Sequence, residues 1–162
     1  MLLAALLLAN WQAVAGSAAL VTRDGIGKAR FGMTLTQLNL ALGETFKVPS
    51  GPDDKNCFYI EPKTLDGVSL MIEQGRLRRI DVRATTVTTG DGVGVGTPVS
   101  NLKSRYGSRL RDEQHHYGGP EDRYLTLELN STLAIRFETS EGKVDNWYAG
   151  YKKQVQYVEG CL

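Results

Sequence analysis

Two adjacent histidines, His115 and His116, stand in RDEQHHYGGPEDR (111–123) among Asp112, Glu113, Glu121 and Asp122. Imidazole and carboxylate groups together are the ingredients of general acid–base chemistry and of metal ligation. Their spacing supports neither. Adjacent histidines do not share the i, i+4 face of a helix, and the two cysteines are far away in sequence. No partner nucleophile stands at a spacing that would make an activated pair. The stretch reads as a polar loop of solvated residues, with an enzyme built on His115 and His116 as a minor alternative. The chain holds no G-x-S-x-G, H-E-x-x-H, P-loop or C-x-x-C pattern. GDGVGVG (90–96) precedes a candidate helix, whose N-terminus could hold an anion, but GIGKARFG occupies the equivalent place earlier in the chain. Those glycines are therefore read as backbone linkers. No catalytic residue, cofactor or metal is expected, and the protein is read as not an enzyme.

The remaining candidates are recognition groups. Arg76, Arg78, Arg79 and Arg83 make one strand-like stretch basic, and Trp147, Tyr148 and Tyr151 lie on an equivalent stretch later in the chain. Arginine, tyrosine and tryptophan are enriched where binding energy concentrates, so the two stretches predict a protein-recognition surface. The alternative is a glycan- or cell-wall-binding module that uses the aromatic rings as stacking platforms. Two cysteines, Cys57 and Cys161, predict one disulfide that ties the last residues to the middle of the chain. Closing a loop of about 100 residues stabilises by up to ~4.7 kcal/mol in the chain-entropy description.

The elements that must carry these groups are written twice. GMTLTQLNLALG (32–43) returns as GTPVSNLKSRYG (96–107) without a gap, at a constant offset of 64 residues. Leu35, Leu38 and Leu42 match Val99, Leu102 and Tyr106, an i, i+3, i+7 apolar stripe on a short helix. Thr34 and Gln37 form a capping box. In the second copy Thr97 is the expected cap, with Pro98 in the first helical position. Gly43 and Gly107 suit left-handed C-terminal positions. After each helix come three strands: CFYIEP (57–62), VSLMIE (68–73) and RLRRIDVR (76–83), then YLTLEL (124–129), LAIRFET (133–139) and KVDNWYAGY (143–151). A tight turn is predicted at Gln74-Gly75 and one longer by two residues at 140–142. Alternation puts Val68, Leu70 and Ile72, and their counterparts Leu133, Ile135 and Phe137, toward the helices. Ser69, Met71, Arg136 and Glu138 then fall on the opposite face. Leu77 and Ile80 are three apart, which calls for a bulge if both are to face inward.

FGMTLTQLNLALG resembles the G-M-T-x-x-Q-hydrophobic-x-x-x-L-G signature of the BamE (SmpA/OmlA) outer-membrane lipoprotein family. A tandem copy of such a unit is similar to the beta-lactamase inhibitor protein family, secreted proteins with two helix-plus-sheet halves. The resemblance covers roughly residues 26–151 and implies architecture, because the motif consists of caps and core positions. No inhibitory contact residue can be matched. No cysteine follows the small residues near the N-terminus, so the membrane anchoring of the lipoproteins is not carried over.

MLLAALLLANWQAVAGSAAL opens with an apolar run and small residues that fit a signal peptide over 1–15, with a second candidate cut at 19. A formal net charge of +1 gives no strong pull toward nucleic acid or an acidic membrane. The expectation is an α+β protein built as a tandem repeat of a short helix packed on a three-stranded (or larger) antiparallel sheet. Repeat 1 covers 25–88, repeat 2 covers 89–151, and a C-terminal tail over 152–162 is tied back by Cys161. Its predicted place is the periplasm or the outside of the cell. Its predicted partner is an envelope or secreted protein, with no nucleic acid and no transmembrane span in the mature chain.

Overall fold

A computed structural model describes residues 19–51 and 55–161. The proposed signal peptide over 1–15 lies outside the described residues. The described residues form an α+β fold with two α-helices and two sheets. No helix among the described residues is long and apolar enough to cross a membrane.

The helices are α1 (Leu35–Leu42) and α2 (Val99–Tyr106). At α1 the sequence signals act as written. Thr34 Oγ1 accepts from the Gln37 N–H at 3.3 Å, Gln37 Oε1 accepts from the Thr34 N–H at 2.9 Å, and Gly43 closes the helix at φ 70°. The second helix departs from expectation at both ends. Pro98, not Thr97, is the N-cap, and it offers no side-chain bond, while the Thr97 hydroxyl accepts from the Gly94 N–H at 3.1 Å. Gly107 adopts φ 54° and ψ −130°, outside the left-handed helical region, and leads into a 3-10 turn, Gly107–Arg109.

Four short strands form a small sheet: β1 (Ala19–Val21), β2 (Gly25–Ile26), β3 (Ala29–Arg30) and β7 (Val87–Thr89), with β1 and β7 parallel. The large sheet has seven antiparallel strands. Their spatial order is β4 (Cys57–Ile60), β5 (Val68–Glu73), β6 (Arg76–Val82), β11 (Lys143–Tyr151), β10 (Leu133–Ser140), β9 (Arg123–Glu128) and β8 (Leu110–Gln114). Strand β8 corrects the reading of 111–123 as loop throughout. Its charged residues pair across the sheet edge, as where Arg123 donates to Asp112 at 2.6 Å, and only the stretch beyond Gln114 is loop. A charged edge strand carries no apolar alternation, and charge on an edge blocks pairing with other chains.

The expected bulge is present. Met71 pairs with Arg79 and Ile72 with Leu77, so Arg78 is the extra residue and both Leu77 and Ile80 face the core. The turn at 140–142 is tighter than expected. Glu141 and Gly142, at φ 50° and 73°, form a two-residue turn like Gln74 and Gly75, at φ 52° and 72°. The two extra residues lie instead in β10, which is longer than β5, and the second hairpin repeats the register of the first: Glu138 pairs with Asn146 and Thr139 with Val144, leaving Asp145 as the extra residue as Arg78 is in β6.

Each helix is moored to a hairpin by the same pair of backbone bonds. The Gly32 N–H reaches Leu77 O and the Leu77 N–H reaches Met33 O, both at 2.9 Å. The Gly96 N–H reaches Val144 O at 2.8 Å and the Val144 N–H reaches Thr97 O at 2.9 Å. One face of the large sheet supplies Val68, Leu70, Ile72, Ile135, Phe137 and Trp147 to a core that also takes Leu38 of α1 and Leu102 of α2. At ~25 cal/mol per Å² of apolar surface removed from water, this burial is what holds helices of such short length in place.

Candidate functional site

The second face of the large sheet is polar, and it is not bare. After β11 the chain turns back across it as residues 152–161, a strap containing one 3-10 turn, Gln154–Gln156. Cys57 and Cys161 stand at disulfide-bonding distance, with Cα atoms 5.3 Å apart and a sequence separation of 104, so the strap ends against β4.

Arg79 is the centre of this face and is only 4% exposed. Its Nε and Nη2 donate to the two carboxylate oxygens of Asp81, both at 2.7 Å. Nη2 also donates to the Tyr59 hydroxyl at 2.8 Å, and Nη1 donates to Gln154 O and Tyr157 O, both at 2.9 Å. All five guanidinium donors are thus used, which is the condition for burying such a charge. Burial pulls its pKa down, and the bonds to Asp81 more than offset that, so Arg79 remains a cation. Its guanidinium lies 4.2 Å from the centre of the Tyr148 ring. Tyr148 in turn donates to Glu138 at 2.7 Å, and Asn146 donates to the same carboxylate at 2.9 Å. Burial, and then the charge of Glu138, push the Tyr148 phenol well above its ordinary range. Burial and Asp81 do the same to Tyr59.

Arg136 echoes the arrangement two strands further on, across β11. It is also 4% exposed, lies 4.1 Å from the centre of the Tyr124 ring, and donates to Glu113 at 3.1 Å. His115 stacks on Tyr124, with ring centres 4.3 Å apart.

Between the strap and strands β4, β5 and β6 the face opens into a cleft of about 390 Å³. Tyr59, Ser69, Asp81 and Tyr148 line it, with Glu61, Arg83 and Glu138 around them and Val158 to Gly160 of the strap as one wall. A second cleft of about 640 Å³ lies at the far side of the strap, lined by Cys57, Cys161, Glu73, His116, Tyr117 and Tyr157. His115 and His116 are therefore drawn apart: one packs on Tyr124, and the other borders the cysteine pair.

The residues expected to form one recognition surface do not come together. Trp147 and Tyr148 are neighbours in a strand and point to opposite faces. Trp147 is 0% exposed in the core, so its place on a contact surface is corrected. Tyr148 is 3% exposed and roofed by Arg79. Arg78, displaced by the bulge, sits over Tyr151 at 4.8 Å from the ring centre, away from Arg79. Arg76 is exposed and donates to Gly32 O at 2.8 Å. Of the seven, Arg79, Arg83 and Tyr148 border the cleft on the polar face. Alternation alone assigns Arg136 and Glu138 to this face, but no local motif marks them, Tyr59, Asp81 or the strap as parts of a site. The usable signal was parity: Tyr59, Ser69, Asp81, Glu138 and Tyr148 all have the polar-face phase of their strands.

No protein-family model matches this sequence, and no curated protein matches it. Among solved structures, the crystal structure of the uncharacterized protein yfeY from Escherichia coli is similar, with a TM-score of 0.48 and 17% sequence identity, covering 82% of this chain and 99% of that one.

Proposed function

We propose that this protein is an exported, non-enzymatic binding module that recognises a segment of another envelope or secreted protein on the polar face of its large sheet. The observation that carries this reading is the cleft of about 390 Å³ between the strap and the β4–β5–β6 strands. Its floor is pre-organised: Arg79, Asp81 and Tyr59 are joined by hydrogen bonds of 2.7–3.2 Å, Tyr148 and Glu138 by one of 2.7 Å, and the Arg79 guanidinium over the Tyr148 ring links the two sets before any partner arrives. A rigid polar floor with exposed Glu61, Arg83 and Glu159 at its mouth suits an inserted loop of a folded partner, since little ordering entropy remains to be lost. Inhibition of an enzyme is one form such recognition takes, in line with the resemblance to the inhibitor family.

The reading rests on a duplicated scaffold. The paired moorings of Gly32, Met33 and Leu77, and of Gly96, Thr97 and Val144, support it. So do the two bulges, Arg78 and Asp145, each set two residue pairs beyond a two-residue turn. The glycan alternative is weakened by the burial of Trp147 and by the guanidinium groups of Arg79 and Arg78, which lie over the rings of Tyr148 and Tyr151 where a sugar would stack.

Ser69→Trp fills the cleft from β5 and tests the reading. The oxidised protein, immobilised against an envelope extract, is expected to retain one stoichiometric protein, and the Ser69→Trp form is expected to lose it. Retention of peptidoglycan or polysaccharide in place of a protein would move the assignment to the glycan module.

A further inference from the structure

The strap is held as a ligand is held. Both buried arginines spend donors on its backbone: Arg79 on Gln154 O and Tyr157 O at 2.9 Å, and Arg136 on Val155 O and Gln156 O at 3.4 Å. The Val155 side chain, 0% exposed, packs with Ala134 and Tyr148 in a small cluster of its own, separate from the main core. Glu73 accepts from the Tyr157 hydroxyl at 2.8 Å and from the Gln154 side-chain amide. The receiving groups are fixed by the sheet and not by the strap. Arg79 is clamped to Asp81 and stacked on Tyr148, and Arg136 is bonded to Glu113 and stacked on Tyr124. Without the strap, four carbonyl-directed donors, an aliphatic socket and a carboxylate remain aimed at one short segment, which the strap fills with a single 3-10 turn and the residue after it. This is the make-up of a peptide site, in which backbone bonds give affinity and pockets read side chains.

The strap's far end is fixed by one covalent link. Both cysteines are partly exposed, and they border the open cleft of about 640 Å³, where a thiolate can approach. We propose that residues 152–161 are a tethered occupant of a peptide-binding site, and that reduction of Cys57–Cys161 by a dithiol opens the site to a segment of another protein with one aliphatic residue flanked by amide and aromatic side chains, the Gln-Val-Gln-Tyr pattern of the strap itself. One thiolate of the dithiol attacks a cysteine sulfur, and the other cysteine departs as a thiolate that takes up a proton. The second thiol of the reductant then closes its own disulfide and releases the first cysteine. Two electrons pass from the dithiol, and both cysteines end as thiols. The site lies under the strap and holds whether or not the neighbouring cleft binds a partner.

The test uses the full chain. Amide hydrogen exchange at Gln156 and Tyr157, whose N–H groups bond to Lys153 O and Gln154 O, is followed with and without dithiothreitol. Reduction is expected to speed strap exchange at least tenfold while β5, β6 and β10 keep their protection. Unchanged strap exchange overturns the proposal, and so does loss of protection throughout the sheet, which would make the strap a structural clamp. A reduced strap still competes from its tether at high effective concentration, so peptide binding is read on the full chain carrying Val155→Asp. A fluorescent peptide with the sequence of residues 152–160 is expected to bind the reduced variant at least tenfold more tightly than the oxidised one. Equal binding in the two states, or none to the reduced variant at millimolar peptide, overturns the proposal.

Discussion

Arg79 joins the polar face to the strap, with three donors on Asp81 and Tyr59 and two on strap carbonyls. In RLRRIDVR it is one of four arginines, and nothing in its type separates it from exposed Arg76. Asp81 lies two residues on, at the i, i+2 spacing that puts both on one face of a strand, and that spacing was the readable hint. The acceptors Gln154 O and Tyr157 O are 75 and 78 residues away, and no local pattern announces them. Arg79→Met removes a buried cation from five bonds and strands Asp81. It is expected to cost about 3–5 kcal/mol of unfolding free energy, against less than about 0.5 kcal/mol for Arg76→Ala, in urea titrations at neutral pH. The phenols of Tyr148 and Tyr59 give a second residue-scale expectation. Burial raises both above their ordinary value, so the native state keeps protons that the unfolded chain gives up near pH 10. Their contribution is full below that pH and is lost as pH rises above it toward the folded values. Unfolding free energy is expected to fall between pH 9 and about 11, with a shallower slope in Tyr148→Phe.

At the scale of elements, what was legible followed from period. Strands β4, β5, β6, β10 and β11 alternate or bury a continuous run, and their bounds differ from the sequence reading by no more than two residues. Helix α1 carried its cap and its stop in plain form. The second helix has glycines in the same places, yet Pro98 and the conformation of Gly107 gave its ends other geometries, because a glycine permits a left-handed turn without requiring one. Strands β1, β2, β3 and β7, of two or three residues each, are too short to show any period. Strand β8 wears charge because it is an edge. The β6–β11 junction depends on one residue the sequence left unremarked. A Cβ at Gly150 would stand 2.2 Å from Arg78 O, with backbone on the far side and nothing flexible to move. Gly150→Ala is expected to cost roughly 1–3 kcal/mol or more by pushing the two halves of the sheet apart, and the loss will appear in thermal unfolding with β6 and β11 amides exchanging first.

At the scale of the molecule, the candidate site was only half visible beforehand. The polar face could be drawn strand by strand from alternation, but the strap that covers it is placed by the Cys57–Cys161 pair and by carbonyl groups, which every residue possesses and none advertises. The N-terminus bears on the proposed export. Val21 is buried, and Ala19 pairs with Val87 in β1 and packs on the core, so a cut after Ala19 would remove the first residue of β1 from the fold. Processing after Ala15 keeps the strand whole, and the intact mass of exported protein is expected to correspond to a chain beginning at Gly16. The order of strands carries a further consequence, for the moment of synthesis. The second partner of β6, beside β5, is β11, the last strand of the sheet in chain order, so Val82 waits for Trp147 and Arg79 for Gly150. A topology of such high contact order closes slowly once the chain is free. As the polypeptide emerges N-terminus first, the β4–β5–β6 sheet stands with an unzipped border and one oily side until β11 has been made. How long that border stays open, more than the depth of the final energy well, sets how much newly made chain is lost to aggregation.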